Sequence, residues 1–337
     1  MKRDVVAVVL ILVAFILAGE KVAVLPEIEK PAFDMVVDND ELFVVQCATI
    51  YIYSLEDFKL KARFGRRGEG PREFKVHPQE HVHFSVQLDY ITVDCGKKVA
   101  YYTRQGAFKN EVKIPHHVDV VALAPLAGRF VGCTNEYQDN ERYLVLGLYD
   151  SNFNRLKEIC RNRHDLQQQE IVLLRGTFHY KIYRNRIFVV YAGSDFRLDG
   201  FDLEGNLKSS IIEKDFERRR VTAADRQRIR RWFDLYFKGF WQKNRERIKI
   251  KPYWPSIGTF FVDNDTIYIG TFVIKNGKWL FYLYDLEGHF RKKIYLPLVE
   301  HHIWAPFPYT IAHQKLYQLI ENEETEQWEL HITPVHQ

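Results

Sequence analysis

Most of the chain consists of short runs in which apolar and polar residues alternate, each closed by a polar turn, the pattern of half-buried antiparallel strands. Two turn types recur. In the first, an aromatic residue, commonly followed by Asp, opens a turn and a return strand. It occurs as Tyr149-Asp150-Ser151-Asn152-Phe153, Phe201-Asp202-Leu203-Glu204-Gly205 and Tyr284-Asp285-Leu286-Glu287-Gly288, with weaker copies from Tyr53 to Asp57 and from Tyr102 to Gly106. In the second, Val37-Asp38-Asn39-Asp40-Glu41-Leu42-Phe43-Val44 matches Val262-Asp263-Asn264-Asp265-Thr266-Ile267-Tyr268-Ile269, with looser versions ending near Val93, Val189 and Tyr317. Each reads as a hairpin whose turn residues tolerate positive φ. Two hairpins per repeat make four strands.

The leading aromatics fall 49, 47, 52 and 83 residues apart, and four strands in each such interval is the spacing of a propeller blade. The pattern predicts an all-β fold, a six-bladed β-propeller, with blades near 31–64, 81–114, 118–160, 176–213, 256–297 and 303–335. The last segment shows three strands only. Residues 21–25 are expected to supply the fourth, closing the ring so that no sheet edge stays unpaired.

The long interval holds an insertion, residues 214–251, between blades four and five, and there the period changes from two to 3.6. Thr222 and Asp225 form a capping-box pattern. Ile229, Trp232, Phe233, Tyr236, Phe237, Phe240 and Trp241 then fall on one stripe, predicting a single inserted amphipathic helix. Fourteen Lys or Arg stand against five acids, a net +9 that leaves about −5 for the rest of the chain.

One stretch follows neither period: Phe64-Gly65-Arg66-Arg67-Gly68-Glu69-Gly70-Pro71-Arg72-Glu73-Phe74. It lacks the G-x-x-x-x-G-K of a phosphate loop and precedes no helix, so its glycines and proline read as sharp turns in a connector. The repeat and this loop together resemble the six-bladed β-propeller proteins of the NHL-related kind from bacterial envelopes, whose first blade is typically followed by F-G-x-x-G-x-G-P-G-E-F. Gly65, Gly68, Gly70, Pro71 and Glu73 match that loop, and Arg72 stands where glycine is usual. The resemblance spans the mature chain and implies the fold, a structural role for the loop and an extracytoplasmic location. It implies little chemistry, since most such proteins have no assigned activity.

Composition adds three bounds. With 46% hydrophobic and 27% charged residues the chain is not disordered, and 15% aromatics favour sheets. A net charge of +4 is too small to imply a polyanion partner for the whole molecule. At the start, Lys2 and Arg3 precede an apolar run from Val5 to Gly19, short for a membrane span and suited to the core of a secretory signal. Residues 1–19 are therefore read as a signal peptide or an uncleaved N-terminal anchor, and 20–337 as the propeller, exported to the periplasm or cell envelope. Export leaves two readings for Cys47, Cys95, Cys133 and Cys160: disulfides in one of three pairings, or small buried hydrophobes.

Candidate chemistry is sparse. No HExxH, CxxC or acidic calcium loop occurs among residues that include 13 His, and no metal or cofactor is predicted. His81 and His83 would share one face of a strand. Asp38, Asp40, Asp263 and Asp265 invite a catalytic reading, but their recurrence in the repeat makes them turn formers. The leading expectation is a non-enzymatic, monomeric binding or scaffold module for an envelope protein or glycan. The insertion either packs its stripe on the propeller or docks an anionic partner or membrane surface through Arg226, Arg228, Arg230, Arg231, Trp232 and Trp241. Export argues against nucleic acid. The alternative function is a metal-assisted lyase or hydrolase whose ligands gather from separate blades in the central channel.

Overall fold

The computed structural model describes residues 20–335, apart from 30–33, 71, 77–79, 117, 119, 127, 140, 165–169, 177, 194, 303 and 304. The signal or anchor segment 1–19 and Pro71 lie outside the described residues. Six four-stranded antiparallel sheets follow one another along the chain. Blade one is Asp34–Asp38, Glu41–Gln46, Thr49–Ser54 and Leu60–Phe64; blade two is His83–Val86, Tyr90–Asp94, Lys98–Thr103 and Phe108–Lys113. Blade three is Val120–Leu126, Arg129–Gln138, Glu141–Tyr149 and Arg155–His164; blade four is His179–Tyr183, Arg186–Val190, Phe196–Asp202 and Leu207–Glu213. Blade five is Thr259–Asp263, Thr266–Lys275, Lys278–Asp285 and Phe290–Leu296. Blade six takes Tyr309–Ala312, Lys315–Asn322 and Gln327–Pro334 from the end of the chain and Glu20–Val24 from its start. Val24 faces Glu329 in that junction, and the Leu25 N–H donates to the Trp328 carbonyl at 2.8 Å.

Because side chains alternate along a strand, each blade gives one face to each neighbour. Leu42 and Val44 pack with Tyr317 and Leu319 of blade six, while Phe43 and Val45 pack with Ile91 and Val93 of blade two. Ile187 and Val189 likewise meet blade three, and Phe188 and Val190 meet blade five. Further cores join blades two to three and five to six, so the apolar contacts run unbroken around the ring.

The recurring aspartates are consumed by structure. Asp150 Oδ1 accepts the N–H groups of Asn152 and Asn154 at 2.9 and 2.8 Å, and Asp202 and Asp285 do the same in their own turns. The turn then needs positive φ, met by Phe153 (65°), Gly205 (71°) and Gly288 (92°). Blade six has no such turn because its outer strand comes from the other end of the chain. Asp38 and Asp263 act differently from simple turn formers, by reaching the next blade. Asp263 accepts the His313 and Gln314 N–H groups at 3.0 and 2.8 Å, and Asp38 pairs with Arg104 of blade two.

One expectation needs correction, and one left open is decided. The insertion is not a single helix. Helix α1, Ala223–Tyr236, is capped by Thr222 and Asp225 as expected, but the chain leaves helical geometry at Phe237 and turns through Gly239 (φ 75°) into a short α2, Phe240–Asn244. The following segment, Ile248–Ile250, pairs in parallel with Ile171–Leu173 of the connector between blades three and four. Of the two readings open for the cysteines, the structure has all four as free thiols and no disulfide. Cys133 and Cys160 sit opposite the two sides of Leu146, separated by a whole strand. Burial pushes their thiols up, to about 12 and about 11, which suits inert small hydrophobes.

Candidate functional site

A four-stranded meander puts its first and third turns at one end of the blade. The middle turn and the connector to the next blade lie at the other end. The Asp turns therefore gather on one rim of the ring, and the connectors, with the insertion, on the opposite rim. Loops around a rigid scaffold are where binding residues concentrate, so the connector face is the candidate site. No described helix is long and apolar enough to cross a membrane.

The glycine-rich loop on that face is built around one carboxylate. Glu73 Oε2 accepts the Gly70 N–H at 2.8 Å, and Glu73 pairs with Arg66 at 2.7 Å. The Gly70 N–H and the Arg66 guanidinium hold the Glu73 carboxyl below the usual range. Gly65 makes room for Phe74, whose ring is fully buried between blades one and two. Arg72 takes a left-handed φ of 62°, donates its N–H to Glu111 and lays its guanidinium 4.8 Å from the Phe108 centroid. A cavity of about 490 Å³ opens beside the loop, with Lys97, Lys98, Lys113 and His116 among its walls. Its acids are paired: Glu69 with Lys75, Glu73 with Arg66 and Glu111 with Lys98. The loop is thus a self-sufficient connector.

In the insertion, Ile229 is fully buried and joins Leu174, Val221 and Trp254 in a small core of its own. Asp225, beyond capping α1, accepts from Arg219 at 2.7 Å, and Arg219 lies 4.6 Å from the Trp254 ring centroid. Trp232 and Trp241 both pack on Phe233, so they are partly committed to the fold. Arg228 pairs with Glu300 of the connector between blades five and six at 2.8 Å, and Arg230 approaches Asp234 at 3.7 Å. Arg226 and Arg231, by contrast, have no carboxylate within ion-pair distance among the described residues, and neither does Lys238. At the C-terminal end of α1, beside Lys238 and one turn from Arg231, the helix leaves the core: Leu235, Tyr236 and Phe237 are 74%, 61% and 45% exposed.

The inner strands place a third group at the channel. Lys181 of blade four lies against Phe261 of blade five, whose ring is 5.3 Å from that of Tyr309 in blade six. His81 and His83 stand with their rings 5.7 Å apart, sharing a face as their spacing predicts. Among the described residues no three His, Cys, Asp or Glu side chains converge as a metal site, so the donor set that a metal-assisted hydrolase or lyase would need is not assembled there.

Against known proteins, no family profile matches the sequence and no curated protein does. Among solved structures, a member of the DUF4221 family from Bacteroides vulgatus superposes with a TM-score of 0.51 at 12% identity, over 94% of this chain and 97% of that one. The likeness is one of fold. A second structure, KlHsv2 with loop 6CD replaced by a Gly-Ser linker, covers 90% of this chain and 97% of its own at 9% identity, but its TM-score of 0.40 carries no argument.

Sequence reasoning reached the loop and the arginines but missed Leu235 and Lys238 as the exposed, unpaired end of the stripe. It also missed Lys181. The signal was present: in His-Tyr-Lys-Ile-Tyr, a cation takes an inward position of an inner strand.

Proposed function

We propose that this protein is a non-enzymatic binding or scaffold module of the NHL-related kind, exported to the cell envelope, whose acidic protein or glycan partner docks on the corner between α1 and α2. The observation that carries this reading is the coincidence there of exposed Leu235, Tyr236 and Phe237 with Arg231 and Lys238, and with Arg226 about 15 Å back along α1, none of which has a carboxylate within ion-pair distance among the described residues. Large apolar side chains exposed together mark interaction sites, and unpaired cations beside them favour a partner of opposite charge. The export half of the proposal rests on Lys2, Arg3 and the apolar run behind them. A second reading, docking on an anionic membrane surface, is favoured by the run of three consecutive exposed apolar or aromatic residues beside cations, which suits the interfacial layer.

The test is charge reversal at the unpaired cations only, because reversing Arg228 would also break its pair with Glu300. The triple variant R226E/R231E/K238E is expected to lose binding to the envelope fraction while keeping the wild-type unfolding midpoint. Binding that survives leaves the corner with a packing role alone. Vesicles of phosphatidylglycerol, tested beside the protein and glycan fractions, separate the two readings.

A further inference from the structure

Lys181 is a half-buried ammonium whose surroundings explain its shape but not its charge. Tyr180 and Ile182, its neighbours on the inner strand of blade four, turn toward blade three, so Lys181 turns the other way. Its Nζ lies 4.2 Å from the Phe261 ring centroid and 5.8 Å from that of Phe260. No hydrogen bond or ion pair is made to it among the described residues. Ring faces offset only part of what an ammonium loses on leaving water, and buried charges are ordinarily paired. Burial accordingly pushes the Lys181 pKa down, while the field of Asp34, at the start of the inner strand of blade one, pulls it back up from beyond ion-pair distance.

His179, two residues away on the same strand, stacks on Phe260 with ring centroids 5.2 Å apart, and among the described residues no carboxylate is within ion-pair distance of Lys181. Burial pushes the His81 pKa down, against the pull of Asp34. Asp34 is exposed and already accepts the Met35 N–H at 2.8 Å. Tyr309 presents a ring beside Phe261. The arrangement is therefore one ammonium with no anion in contact among the described residues, the His179 imidazole on the same strand, the edge of the buried Phe261 ring with the half-buried Tyr309 ring beside it, and one carboxylate near enough to disfavour a ligand with a second negative charge.

We propose that the channel mouth binds a small aromatic or apolar monocarboxylate, whose carboxylate pairs with Lys181 and whose body lies against Phe261 and Tyr309. Such a ligand supplies the anion that the fold leaves out, and does so where water is already partly excluded, so the pair gains more than it would at the surface. The site is independent of the insertion.

Benzoate is a suitable probe, with benzamide as its neutral isostere. Calorimetric titration of the mature chain at constant ionic strength is expected to show saturable benzoate binding, weakened at least tenfold by K181M and unaffected by K292M on the outer strand of blade five. Equal binding to wild type and K181M, binding of benzamide as tight as benzoate, or no benzoate binding overturns the proposal. A second measurement needs no variant and holds if K181M fails to fold. Benzoate, and not benzamide, should slow trinitrophenylation of the wild-type peptide carrying Lys181 at least threefold; equal rates with and without benzoate, including no modification in either, contradict the site.

Discussion

The carboxylate of Glu73 occupies the space that a side chain at Gly68 would need: a Cβ there would lie 2.1 Å from Glu73 Oε2. The two residues are therefore one feature, in which the glycine lets a carboxylate approach the loop backbone. Because the obstructing atom ends a flexible side chain, Gly68→Ala is expected to displace Glu73 rather than break the fold. Its cost in urea unfolding should be much smaller in an E73A background than in the wild type. Additive effects of the two substitutions would show that they do not share the interaction.

Gly65 is the harsher position. Its φ is 79°, and an added Cβ would sit 2.4 Å from the Ala48 carbonyl oxygen, which is backbone and cannot swing aside. Gly65→Ala is expected to cost about 2–4 kcal/mol, combining left-handed strain with overpacking. A change in the urea midpoint worth less than about 1 kcal/mol would contradict the geometry.

Arg72 holds a left-handed φ without being glycine. Removing its strain should gain about 1 kcal/mol, and losing its contact with Phe108 should cost about 0.5–1 kcal/mol. Arg72→Gly is thus expected to be close to neutral. Arg72→Val keeps the strain, worsens it by β-branching and loses the contact, so it should destabilise by about 1–2 kcal/mol. Equal thermal midpoints for the two variants would contradict this account.

The turn carboxylates give stability an acid limit. Asp202, through the Asn206 N–H first, and Asp150, through the Asn154 side chain first, are held below the usual carboxylate range. A depressed folded-state pKa contributes stability above the unfolded value of about 3.9, and that contribution is lost as pH falls below it. The urea midpoint should therefore drop between about pH 4 and pH 2 and drop less steeply in D150N/D202N. An unchanged slope in that variant would remove the turns as the cause.

How much of this was legible depended on whether the cause was local. The strand period, the Asp turns, the capping of α1 by Thr222 and the pairing of the chain's two ends all follow from neighbours in sequence and from the need to close a sheet edge. The break at Gly239 was hidden because the apolar stripe continues through it, from Phe237 to Phe240 and Trp241. Asp38 and Asp263 were legible as polar turn residues, but their partners Arg104, His313 and Gln314 belong to other blades. Lys181 and Phe261 are brought together only by ring curvature.

Ring closure carries its own test. Leu25 is fully buried in the core shared by blades six and one, so Leu25→Ala should cost about 2–5 kcal/mol. Removing residues 20–25 should expose the edge of Gln327–Pro334 and produce concentration-dependent association. A truncated chain that stays monomeric and as stable as wild type would contradict closure by the N-terminal strand.

The central claim, that the corner between α1 and α2 is the docking surface, is tested most directly by a photo-crosslinker. We expect p-benzoylphenylalanine at position 236, where Tyr236 is 61% exposed, to give a discrete adduct in the envelope fraction that fades with salt and with R226E/R231E/K238E. The same group at position 290, on the outer strand of blade five, should give none. No adduct from position 236, or equal adducts from both positions, would contradict the assignment.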